Sequence, residues 1–261
     1  MRSARSFRGL LALALVLGAC AGRRNADVAP APVWDTPEGK ERAQLDLVRT
    51  LIRTGRADEA LALISKLEAD GARGPEVDVL HGQALREVGL LDDAQAILEG
   101  VLRRHRRDAE AMNQLGILWV DRRRLEEALP LLERAVSISP KNADYQNNLG
   151  FALLAAGRSA EAIKPLRRAL AIDATRAQTR NNLGYALMGA GKDDEAWRVF
   201  RSSGSEALAR YQYGVGYELR GDRSAARRQY EAALAADARF TEAARALARL
   251  TVTNPSAEPA P

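Results

Sequence analysis

The chain holds one cysteine and two histidines in 261 residues. Cys20, being alone, has no internal partner, so no disulfide framework shapes the fold. His81 and His105 lack cysteine or carboxylate companions at metal-ligand spacing, so no metal and no cofactor is expected. There is no Gly-rich phosphate loop; the glycines recur at a fixed period instead. The carboxylate pairs Asp92-Asp93, Glu126-Glu127 and Asp193-Asp194 sit where helices are expected to open, and negative charge suits a helix N-terminus. None marks a catalytic pocket, so no catalytic residue is assigned and the chain is not expected to be an enzyme. The longest apolar run near the start, Leu10 to Leu17, is too short to span a bilayer.

That run follows Arg2, Arg5 and Arg8, and the combination has the form of a secretory signal over residues 1–19. Removing those three arginines takes the formal charge from +5 to 5 − 3 = +2. A balance so mild gives no argument for nucleic acid, which wants a concentrated basic face, and no nucleic-acid partner is expected. The densest basic run, Arg103 to Arg107, falls where a helix is expected to end, which is where cations suit the dipole. Residues 20–40 carry three prolines beyond Cys20 and read as a flexible tether, and 252–261 as a disordered tail.

What is abundant is self-similarity. NNLGFALLAAGR begins at Asn147, NNLGYALMGAGK at Asn181, and a looser NQLGILWVDRRR at Asn113. Frames of 34 residues start near 41, 75, 109, 143 and 177, with a sixth near 207. Gly82, Gly116, Gly150, Gly184 and Gly214 hold the eighth position, and Ala60, Ala94, Ala128, Ala162, Ala196 and Ala226 the twentieth. Position 24 is large, as Ile64, Leu98, Leu132, Leu166, Phe200 and Tyr230. Spacings of three and four put these on one helical stripe. At position 15, Gly55, Gly89, Gly157, Gly191 and Gly221 supply a left-handed turn between two helices.

The pattern resembles the tetratricopeptide repeat. The resemblance implies an all-α solenoid of about six helix-turn-helix repeats over 41–251, closed by a capping helix at 241–251. Departures are expected to matter locally. Val48 replaces the packing glycine of the first repeat, and His81 replaces a leucine in the second. Pro130 and Pro165 fall inside second helices, and the fifth repeat is four residues short near Ser202 to Glu206.

Stacking accounts for Leu, Gly and Ala but not for the paired amides. In the family resembled, first helices line the concave face. Positions 5 and 6 there hold Asn113 and Gln114, Asn147 and Asn148, Asn181 and Asn182, then Tyr211 and Gln212, with Phe151 and Tyr185 one turn on. One reading is a column of amides bonding an extended peptide backbone beside an apolar strip. The other is that the amides satisfy neighbouring helices or water.

Leu17-Gly18-Ala19-Cys20 resembles the lipobox of bacterial lipoproteins, which implies acylation of Cys20 and, with Ala21 next, the periplasmic face of the outer membrane. The NNLG spacing in such a setting resembles the tight-adherence pilus assembly lipoproteins (the TadD group), and the six-repeat layout resembles type IV pilus pilotins. These resemblances imply a protein or peptide partner, a secretin or pilus component. A regulator of peptidoglycan enzymes and a catalytic lipoprotein are the alternatives from other classes.

Overall fold

The computed structural model describes residues 36–202 and 204–252. The expected signal segment, Cys20, the tether up to residue 35, Ser203 and the tail beyond Val252 lie outside them. Among the described residues there are thirteen helices and no strand.

Six hairpins follow one another, as the 34-residue period requires. They are α1 (Pro37–Arg53) with α2 (Ala57–Ala69), α3 (Pro75–Glu87) with α4 (Leu91–Arg104), and α5 (Ala109–Asp121) with α6 (Leu125–Ile138). Then come α7 (Ala143–Ala155) with α8 (Ser159–Ile172), α9 (Ala177–Gly189) with α10 (Asp193–Arg201), and α11 (Glu206–Leu219) with α12 (Arg223–Ala236). The array ends in α13 (Thr241–Val252), which buries Ala243, Ala246 and Leu250 against α12. The first helix starts at Pro37, four residues ahead of the frame that begins at Glu41.

Each hairpin turns on a residue in the left-handed region. Gly157, at φ 74°, lets the amide of Arg158 reach back to the Leu153 carbonyl at 2.8 Å, closing the orphan end of α7. The third repeat makes the same turn without glycine: Arg123 sits at φ 60° and Arg124 bonds the Trp119 carbonyl at 2.8 Å.

The packing glycines make room for the large residue at position 24. A Cβ on Gly150 would lie 2.5 Å from Cγ of Leu166, and one on Gly184 would lie 2.3 Å from the ring of Phe200. Gly82, Gly116 and Gly214 meet Leu98, Leu132 and Tyr230 in the same manner. The large residue at position 24 therefore lies over the glycine of its own hairpin. The alanines at position 20, Ala94, Ala128, Ala162, Ala196 and Ala226, are fully buried beside it. Val48, where the first repeat lacks the glycine, is equally buried.

Successive first helices touch directly, α3 on α5, α5 on α7, α7 on α9 and α9 on α11, while α4, α6, α8 and α10 are each flanked by first helices. The closer spacing of the first helices makes theirs the inner layer. One apolar core runs from Val79 on α3 to Ala209 on α11, with separate smaller clusters at α1–α3 and at α11–α13. The fifth repeat carries its deletion in α10, which has 9 residues where α8 and α12 have 14. Aromatic rings pack beside the shortened helix: Trp197 lies 5.4 Å from Tyr213, and Phe200 lies 6.2 Å from the same ring. Pro130 and Pro165 both sit inside unbroken helices, α6 and α8.

Candidate functional site

Among the described residues the inner layer carries an open groove of about 800 Å³, crossed by α1, α3 and α5 and reaching the edge of α7. Its register follows from the parallel first helices. Glu76, Asp108, Glu110 and Asp144 come from the N-terminal ends of α3, α5 and α7 and form one rim. Arg53, Arg86 and Glu87, from the C-terminal ends of α1 and α3, form the opposite rim. Between them the floor is mixed, with Val79, Leu80 and Ile117 beside Gln83, Asn113, Gln114 and Asn148.

Hydrogen bonds hold much of this lining in place. Asp108 caps α5 by accepting from the amide of Ala111 at 2.8 Å. Glu110 accepts from Nε2 of Gln114 at 2.7 Å and from the Tyr145 hydroxyl at 2.7 Å. Burial first, and then the charge of Glu110, push the Tyr145 phenol above its ordinary range, so it stays a donor. Asp144 pairs with Arg176, and Arg49 with Asp46 and Glu76. Arg86 reaches Asp121 at 2.8 Å and also pairs with Glu87.

The amides form a chain rather than an open column. Nδ2 of Asn182 donates to Oδ1 of Asn147 at 3.2 Å, Nδ2 of Asn147 to Oδ1 of Asn148 at 3.3 Å, and Nδ2 of Asn148 to Oδ1 of Asn113 at 3.0 Å. Two of these bonds tie α9 to α7 and α7 to α5, position 6 of the fifth and fourth repeats donating to position 5 of the repeat before, and the third links the pair within α7. Asn113, Gln114, Asn147 and Asn182 are buried, and Asn148 is half-buried. An amide burying itself in this way satisfies its own polar groups.

Of the ten side chains read from the sequence as a peptide-binding face, three line the groove: Asn113, Gln114 and Asn148. Asn147 and Asn182 are linkers within the chain of amides, and Asn181 is half-buried outside the groove. Phe151, by contrast, is 46% exposed. Tyr185 donates to Gln212 and stacks 5.5 Å from Phe200, while Tyr211 packs 5.7 Å from Tyr230 and 5.6 Å from Phe240. In the C-terminal repeats the rings occupy one another. Sequence reasoning missed Gln83, Arg86, Asp108, Glu110 and Asp144; the acids at the start of the first helices were legible as helix-opening residues, and only the stacking shows that they share a rim. Among the described residues no three of His, Cys, Asp and Glu gather as a metal ion would need, and no helix is long and apolar enough to cross a membrane.

Two tetratricopeptide repeat models match the chain, one over residues 79–143 and one over 120–178. Residues 79–178 thus carry tetratricopeptide repeats, and the fold is a tetratricopeptide-type α-solenoid. No curated protein matches it. Among solved structures, the array is similar to YrrB, described as a TPR protein with an unusual peptide-binding site, at 23% identity over 70% of this chain and 96% of that one, with a TM-score of 0.54. It is also similar to MamA, at 24% identity over 62% of this chain and 96% of that one, TM-score 0.51. A MamA from Desulfovibrio magneticus RS-1 gives 21% identity, 63% and 93% coverage and a TM-score of 0.50. At such identities the likeness is one of fold.

Proposed function

We propose that this tetratricopeptide array is a non-catalytic scaffold that binds a protein partner through the groove of α1, α3, α5 and α7. The groove itself carries the reading. It is large enough for a stretch of extended chain, and it offers a floor of apolar and amide side chains between charged rims on rigid helices, as peptide sites do. The YrrB likeness lends only the precedent of a peptide-binding member with this fold.

The cellular setting rests on residues 1–21. The basic start, short apolar run and Leu17-Gly18-Ala19-Cys20 support acylation of Cys20 and attachment to the periplasmic face of the outer membrane. In that setting the partner is a secretin or pilus component of a tight-adherence or type IV system, and the protein aids its assembly.

One experiment addresses both halves. Tagged protein is crosslinked in intact cells and extracted with detergent, beside a Gln83→Trp variant that fills the groove from a half-buried position on its floor. The expected result is an acylated Cys20 at the N-terminus by mass spectrometry and a secretin or pilus subunit in the wild-type sample, lost in the variant. An unmodified cysteine removes the anchor. Equal capture by both versions removes the groove, and recovery of cell-wall synthases or hydrolases moves the client to peptidoglycan. Asn148 and Asn182 are unsuited to this test, because changing them cuts the amide chain and alters stability as well as any contact.

A further inference from the structure

One corner of the groove has a specific chemistry. Asp108, Glu110 and Asp144 converge there, at the N-terminal ends of α5 and α7. Arg176 accounts for one of the three charges, through Asp144. The other two carboxylates are held by neutral donors, a backbone amide for Asp108 and the Gln114 amide and Tyr145 hydroxyl for Glu110. Neutral donors orient a carboxylate without cancelling its charge. Arg106 and Arg107 precede Asp108 in sequence, but both are exposed and neither lines the groove.

A second observation points the same way. Gln114 is 4% exposed and lines the groove, yet its Oε1 has no hydrogen-bond partner. An acceptor left so costs free energy that a donor from a ligand would recover. Gln114 lines the groove, and the terminal torsion that sets the direction of this oxygen is soft. Two uncancelled carboxylates and a spare carbonyl oxygen together ask for a cation rich in N–H donors.

We infer that the segment entering the groove is an extended stretch of protein bearing a lysine or arginine, whose charged head seats against Asp108, Glu110 and Gln114. The inference rests on the groove's being the binding site. Across the mixed floor, Arg86 of the opposite rim is already engaged by Asp121 and Glu87, and Arg53 beside it suits an acidic residue further along the same segment. Register is thereby set, since reversing the segment would bring like charges together at both rims.

The test uses a displayed library of random dodecapeptides selected on the full chain, with an Asp108→Asn/Glu110→Gln variant beside it. Both changes keep size, asparagine caps a helix as well as aspartate does, and a glutamine at 110 accepts from Gln114 while its amide donates to the Tyr145 hydroxyl, so the fold is retained; circular dichroism checks this. The expected outcome is enrichment of peptides sharing a lysine or arginine, which when synthesised bind the variant at least about tenfold more weakly. Enriched peptides with no basic residue in common, or equal binding to both proteins, overturn the inference and leave the groove as a peptide site. A selection that enriches nothing overturns the groove reading, and this inference with it.

Discussion

At the scale of single residues, the turn at Arg123 and the amide at Asn148 show two ways a side chain departs from a repeat's rule. Arg123 adopts φ 60° where five other repeats place glycine, and its side chain is exposed. A left-handed conformation costs a non-glycine residue roughly 1–2 kcal/mol, partly offset by the greater freedom glycine has when unfolded. Arg123→Gly should therefore stabilise the protein by about 1 kcal/mol, read as a rise of a few degrees in Tm. An unchanged or lower Tm would mean that Arg123 makes a contact worth as much as the strain. The asparagines were visible in the sequence as a repeated pair, and their separation of one period plus one residue was visible too. Which way each amide points was not. That depends on helix rotation within the stack, and it decides between an open column of donors and a closed chain between helices.

At the scale of the helix pair, the contact of glycine with position 24 controls how closely two helices lie. The sequence displays both positions, but a list of small and large residues does not say which one faces which. Adding a methyl group to Gly150 places it 2.5 Å from Leu166 Cγ, so Gly150→Ala should cost about 1–3 kcal/mol through overpacking. Joining it to Leu166→Ala should recover part of that loss, giving a favourable coupling in a double-mutant cycle. Strict additivity of the two changes would show that the helices shift apart instead. The second helices also open by a local device that sequence patterning did not reveal. Arg56, Arg124 and Arg158 each hold the glutamate three residues on, Glu59, Glu127 and Glu161, with Nε to Oε1 distances of 2.6, 2.8 and 2.7 Å.

At the scale of the whole solenoid, the period made the fold class and the helix order readable before any coordinates, because 34-residue spacing with small, large and turn positions in frame admits few architectures. The location of the groove was less legible. It requires knowing where first helices leave space between them, and in the C-terminal repeats tyrosine, phenylalanine and tryptophan fill that space. The shared core spans α3 to α11, while α1–α2 and α12–α13 belong to smaller clusters. Stability in such arrays is a sum over neighbours, so the ends, with one neighbour each, open first. Amide hydrogen exchange should be slowest in α5, α7 and α9 and faster in α1, α2 and α13. Uniform protection along the chain would mean that the array unfolds as one unit.

The bond between position 6 of one repeat and position 5 of the repeat before it has an evolutionary meaning. In an isolated Asn-Asn hairpin the two amides have only each other, so the bond between repeats belongs to the copy number and not to the unit. Once two copies exist, the rule is indifferent to which copies they are. Excising residues 143–176 as one block would bring Asn182 opposite Asn113 and leave Asn142 ahead of α9, in the place it now holds ahead of α7. Duplicating the same block would insert another link of the same kind. An interaction that joins any copy to any other lets an array grow or shrink by whole repeats without renegotiating its interfaces.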